Sequence, residues 1–190
     1  MKNSLRLATA AIAMAALLSA CGDDAPSEPT ETTSAPTPSA TETPSDFSTD
    51  DVSEESEDFG QLVAVRVGAH PGFDRVVLEF SESVPGYTVK YVELPVLADG
   101  SGEPIDLPDA ETAVQIVLTP SSGFDMEAGE ETYTGPNTVT NDKTSEITGV
   151  VSAGDFEAVL SWAVGLRNEV PFKVTTLDNP ARLVVDFQTD

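Results

Sequence analysis

The chain has 190 residues, with nine Lys or Arg, 33 Asp or Glu, one His and one Cys, and a formal net charge of −24. That balance argues against nucleic acid and against an electrostatic grip on anionic lipid or phosphate polymers. One Cys forms no internal disulfide, and one His with one Cys cannot complete a His/Cys zinc centre, so no metal or cofactor is expected.

Residues 1–20 read as a secretory signal peptide. Lys2 and Arg6 open it, Ala8 to Leu18 form an apolar core too short to span a bilayer, and the small residues Ser19 and Ala20 precede Cys21. The ending Leu18-Ser19-Ala20-Cys21 resembles the lipobox of bacterial lipoproteins. The resemblance implies that Cys21 takes a diacylglyceryl group, becomes the first residue after cleavage and receives lipidation as its only chemistry. Two acyl chains anchor stably where one does not. The expected location is the outer face of the bacterial cell membrane.

Residues 21–60 are expected to be the lipidated Cys and a disordered linker. From 22 to 60, nineteen of 39 residues are Ser, Thr or Pro, twelve are Asp or Glu, and none is Lys or Arg. Such a segment buries too little apolar surface to offset its ordering entropy. As a tether it would reach between roughly 35 Å as a coil and about 120 Å fully extended.

From residue 61 the pattern becomes alternation with period two. Val63, Val65 and Val67 share a face, as do Val76, Leu78 and Phe80. Tyr87, Val89 and Tyr91 follow, then Val114, Ile116 and Leu118, and then Phe156, Leu160, Trp162 and Val164. Phe172 with Val174, and Leu183, Val185 and Phe187, complete the series. Breakers separate the runs, among them His70-Pro71-Gly72, Ala153-Gly154-Asp155 and Asp178-Asn179-Pro180. No helical stripe with caps occurs. Residues 61–190 are expected to form an all-β, quasi-symmetric β-sandwich of about seven or eight strands. Residues 98–109 and 121–145 are polar and read as long loops.

Residues 65–80, VRVGAHPGFDRVVLEF, and 172–187, FKVTTLDNPARLVVDF, align without a gap at an offset of 107. Val67 meets Val174, Arg75 meets Arg182, Val77 meets Val184 and Phe80 meets Phe187. Glu79 and Asp186 stand four residues after their Arg, on the same strand face. The repeat predicts two equivalent hairpins, one per sheet.

The closing run Pro180 to Phe187, and Phe73 to Phe80 followed by Val84-Pro85-Gly86-Tyr87, resemble the closing and opening of AMIN domains. Gly68 to Arg75, Tyr133-Thr134-Gly135-Pro136, Gly154 to Glu157 and Trp162 to Leu166 are similar in order to the AMIN-like domain of actinobacterial lipoproteins. The resemblance implies a two-sheet sandwich with internal symmetry that targets proteins to the cell wall. No amidase catalytic domain follows the resembling region in this sequence, so the expectation is binding without catalysis.

His70 beside Pro71 reads as a turn residue, and no Gly-x-Ser-x-Gly elbow accompanies it. Four residues are candidates for ligand contact. Tyr133, in a Gly/Pro loop, is expected to be exposed. Trp162, between Leu160 and Val164, reads as core, with a sugar platform as the alternative. Arg75 and Arg182 could clamp a peptide carboxylate, or instead pair across strands with Glu79 or Asp186. The expected function is a membrane-anchored envelope lipoprotein that binds peptidoglycan or is targeted to an envelope complex. The alternative is a scaffold that contacts a partner protein and has no glycan affinity.

Overall fold

A computed structural model describes residues 47–190. The signal peptide, Cys21 and the first part of the expected linker lie outside the described residues. The described chain is all β. Its strands are β1 (Val52–Glu54), β2 (Gly60–His70), β3 (Phe73–Phe80), β4 (Gly86–Val92), β5 (Thr112–Thr119), β6 (Ser121–Ser122), β7 (Phe124–Asp125), β8 (Glu130–Glu131), β9 (Thr138–Val139), β10 (Ile147–Phe156), β11 (Val159–Leu166), β12 (Phe172–Leu177) and β13 (Arg182–Gln188). Eight of them have six residues or more, in line with the seven or eight expected.

Six strands form one sheet in the order β1-β4-β5-β11-β10-β9, and five form the other in the order β12-β13-β3-β2-β6. A small β7-β8 hairpin stands apart from both. Alternation explains the layering. Val76, Leu78, Leu183 and Val185 of one sheet, and Val114, Ile116, Leu118 and Val164 of the other, enter a single buried cluster. Trp162, Phe80, Phe172 and Phe187 are its largest fully buried members. Full burial of each such side chain contributes roughly 1.5–3 kcal/mol.

Three features depart from expectation. The first is the start of the described chain. Val52 to Glu54 pair with β4, and Ser48 forms an isolated bridge with Phe172. The segment packs closely, since a Cβ on Gly86 would lie 2.9 Å from the Ser56 nitrogen. The Tyr87 hydroxyl donates to the Glu54 carboxylate at 3.0 Å. Backbone pairing asks for no apolar side chains, so an acidic, Ser-rich stretch still joins a sheet edge.

The second is the placement of the repeat. The hairpins β2-β3 and β12-β13 lie side by side in the five-stranded sheet, with β13 paired directly to β3. The expectation of one hairpin per sheet is therefore corrected. The register makes the relation exact at residue level: Val77 pairs with Val184, its own repeat equivalent, while Arg75 pairs with Asp186 and Arg182 with Glu79. A local two-fold passes between Val77 and Val184.

The third is the long loops. Residues 93–110 lie against the outside of the six-stranded sheet, where Val96, Ile105 and Leu107 pack with Ala113 and Ala163. Residues 121–145 cross to the edge of β2. There the Thr132 hydroxyl donates to the Leu62 carbonyl at 2.8 Å, and the Asn141 amide donates to that of Val67 at 3.0 Å. These side chains occupy edge carbonyls that would otherwise attract another strand. A buried carboxylate adds a further link: Asp74, 1 % exposed, accepts the backbone N–H groups of Glu146 and Ile147 at 2.7 and 3.1 Å.

Candidate functional site

In a strand, residues that alternate with core positions face outward, and register partners share that face. On β3 the outward residues are Phe73, Arg75, Val77 and Glu79, and on β13 they are Arg182, Val184, Asp186 and Gln188. Arg66 on β2 pairs with Val77, and Lys173 on β12 pairs with Asp186, so both join the same face. Arg66, Arg75, Lys173 and Arg182 are four of the seven Lys or Arg in residues 47–190. The outer face of the five-stranded sheet therefore gathers most of the positive charge of the described residues in a strongly acidic chain. His70, the single histidine, is on it too, opposite Phe73.

The four cations are not equivalent. Arg75 forms a bidentate pair with Asp186, Nε to Oδ1 at 2.6 Å and Nη2 to Oδ2 at 2.8 Å. Asp186 is 7 % exposed. The hydrogen bond to Asp186 raises the Arg75 pKa above its ordinary value, against the lowering effect of burial. The guanidinium also lies over the Phe73 ring, 4.9 Å from its centroid, and the His70 ring stacks on the same Phe73 at 4.9 Å. Arg66 forms an ion pair with Glu79.

Arg182 has no carboxylate partner among the described residues. Its Nε donates to the Pro180 carbonyl at 3.2 Å. Its register partner Glu79 is held by Arg66 instead. Lys173 likewise has no ion pair among the described residues, because its register partner Asp186 is held by Arg75. Arg182 and Lys173 are thus the cations with charge to spare, about 13 Å apart by strand rise.

The four sequence candidates separate into two groups. Arg75 and Arg182 share the cationic face, Arg75 in the cross-strand pair with Asp186. Trp162 and Tyr133 are elsewhere and touch each other, edge to face at 5.4 Å. Trp162 is 1 % exposed, so its ring is core and offers no platform to a ligand. Tyr133 is half-buried rather than exposed, because it packs on Trp162 and its hydroxyl donates to the Pro136 carbonyl at 2.7 Å. Burial raises its pKa. Arg66 and Lys173 were not singled out from the sequence as candidates, although the repeat aligns them with each other. Among the described residues no group of three His, Cys, Asp or Glu could hold a metal ion, and no helix is long and apolar enough to cross a membrane.

Neither a curated protein nor a solved structure matches the chain. Residues 60–189 match the AMIN-like domain family, which covers both sheets except the short entering strand β1. Domains of this kind are in general non-catalytic binding modules of envelope-associated proteins. The chain belongs to the AMIN-like domain family.

Proposed function

We propose that this is an exported, non-catalytic envelope lipoprotein, anchored to the membrane through lipidated Cys21, whose sandwich binds peptidoglycan through the outer face of the five-stranded sheet. The observation that carries the reading is the pair of uncommitted cations, Arg182 and Lys173, on the cationic face of a chain of net charge −24. Peptide stems of the wall carry carboxylates, which a guanidinium binds bidentately. The rest of the surface is acidic and repels such groups, which orients the encounter. Family membership supports an envelope role, and the lipobox-like sequence supports the anchor.

The test is co-sedimentation of the exported chain, purified from membranes in detergent, with insoluble sacculi stripped of anionic polymers. Saturable pelleting is expected. It should fall with added salt and weaken at least fivefold in Arg182→Ala and in Lys173→Ala. Absence of pelleting at every salt concentration would overturn wall binding and leave a partner protein as the reading to pursue. Mass spectrometry of the same preparation checks the anchor: an unmodified N-terminus would remove it.

A further inference from the structure

The outer face of the six-stranded sheet carries a second site of opposite character. Loop 93–110 covers only part of that face. Beyond it lies an open groove of about 400 Å³, floored by Gln115 and Val117 of β5 and Ser161 of β11. Asp99 and Phe156 stand at its sides. The volume is within the range of small-molecule sites, about 300–1,000 Å³.

The composition of the groove points to a ligand class. Ser161 lines the groove and its hydroxyl makes no side-chain hydrogen bond among the described residues; the enclosed polar atoms without a partner are Thr148 Oγ1 and Trp162 Nε1, so the Ser161 hydroxyl opens to the groove. A hydroxyl that opens to a groove can both donate to and accept from a ligand group. Gln115 brings both a donor and an acceptor. Asp99 brings acceptors only, and it forms no ion pair among the described residues. Its place is prepared by the neighbouring strand: Asp99 N donates to the Ala153 carbonyl at 2.7 Å, and a Cβ on Gly154 would lie 2.5 Å from the Asp99 Cβ. Only glycine at 154 leaves room for that carboxylate.

Phe156 supplies the apolar surface. It is 65 % exposed at the end of β10, where pairing with Val159 places it on the outer face instead of with Leu160 and Trp162 in the core, as the sequence series has it. The β10-β11 turn that presents it holds Glu157 at φ 51° and Ala158 at φ 61°. Both are left-handed positions that hairpins usually fill with Asn or Gly. No Lys or Arg lines the groove, although Lys90 stands beside Gln115 on β4. Val117 also borders a second depression of about 590 Å³, which runs past Thr88 and Thr119 and again lacks a cation.

We infer that this groove binds an uncharged saccharide. The Phe156 ring takes the C–H face of one pyranose, Asp99 accepts its hydroxyls, and Gln115 and Ser161 bond the opposite edge. The adjoining depression takes the next ring of the chain. Acidic sugars are excluded by Asp99 and Glu157, in contrast to the carboxylates expected on the cationic face. The inference is independent of wall binding through Arg182, and either can fail alone.

The experiment is saturation-transfer NMR on the full exported chain in detergent, with chitotriose, maltotriose, mannotriose and, as the acidic counterpart, trigalacturonate. Transfer to ring C–H protons of at least one neutral trisaccharide is expected. Which one responds tells an amino-sugar polymer from a hexose polymer. The signal should vanish in Phe156→Ala and fall at least fivefold in Asp99→Asn and Ser161→Ala. An unchanged fluorescence of buried Trp162 checks that these variants fold, and Phe156→Ala removes a mostly exposed ring, so it should keep the fold. Sacculus pelleting governed by Arg182 should be unaffected by Asp99→Asn. The inference is overturned by absence of transfer to all three neutral probes, by equal transfer to trigalacturonate, or by transfer that survives Phe156→Ala and Asp99→Asn.

Discussion

The hairpins β2-β3 and β12-β13 are alike on one side and unlike on the other. Toward the core the equivalents match: Val76 with Leu183, Leu78 with Val185 and Phe80 with Phe187, all at most 1 % exposed. Toward solvent the repeat is broken. An Arg and an acid, Glu79 in one hairpin and Asp186 in the other, stand at equivalent positions, but only one of the two cross-hairpin pairs forms. Arg75 takes Asp186, whereas Arg66 takes Glu79 and leaves Arg182 unpaired. Packing requires volume at both equivalent positions, so the inner face stays symmetric. Ion pairs on the outer face compete, and Arg66 has the longer reach of Arg where its equivalent is Lys173. The unpaired cations are what is left by that competition.

The largest expected effects test the symmetric side. Phe80→Ala and Phe187→Ala should each destabilise by about 3–5 kcal/mol, as deletion of a buried aromatic ring does. Denaturant unfolding should give similar losses for the two. A difference of several kcal/mol would show that the cores of the hairpins are not equivalent.

The outer face should respond unequally. Asp186→Ala strips a nearly buried carboxylate from Arg75 and should cost about 2 kcal/mol, below the full value for a buried pair because Arg75 is a third exposed. Glu79→Ala, losing a pair whose Arg66 is half exposed, should cost about 0.5 kcal/mol or less. Arg182→Ala should leave stability within about 0.5 kcal/mol of the parent. Equal costs at Asp186 and Glu79 would remove the asymmetry.

The smallest effect at neutral pH lies outside the hairpins and serves as their control. All three tyrosines, Tyr87, Tyr91 and Tyr133, have hydroxyl pKa values held above the ordinary 10, in each case chiefly by burial. Tyr87 is raised further by the hydrogen bond it donates to Glu54. The folded values lie above the unfolded one, so unfolding releases tyrosine protons once the pH passes about 10. Stability should therefore be flat for these groups below pH 10 and fall above it. Phenolate absorbance should appear together with loss of the fold, and Tyr87→Phe should shallow the fall. Phenolate absorbance in the intact fold near pH 10 would contradict it.

Alternation in the sequence was enough to locate seven of the eight long strands, because in each the large apolar side chains recur at every second position, even in β11, whose second face of Ser161 and Ala163 is also covered. It missed β10 because that strand is covered on both sides: Val150 is 0 % and Val151 8 % exposed, so apolar residues stand next to each other. A register irregularity between Ser152 and Gly154 also made Ala153-Gly154-Asp155 look like a turn. The pairing of β3 with β13 joins segments more than a hundred residues apart. Arg75 and Arg182 were legible as equivalents, but not as neighbours on one sheet face. The groove was not legible at all. Asp99, Gln115, Phe156 and Ser161 come from separate stretches, and none has a distinctive spacing to another.

The entry of the chain has a mechanical consequence. Ser48 is held to the five-stranded sheet by two backbone hydrogen bonds to Phe172, and Val52 to Glu54 are held to the six-stranded sheet by three register pairs. A pull transmitted from the N-terminal side meets these short attachments before it meets any long strand. They would peel in turn, first the bridge and then β1, and release residues 48–59 as about 40 Å of extra leash. The sandwich would be spared load until that slack was spent, so the first pairs act as a reversible shock absorber.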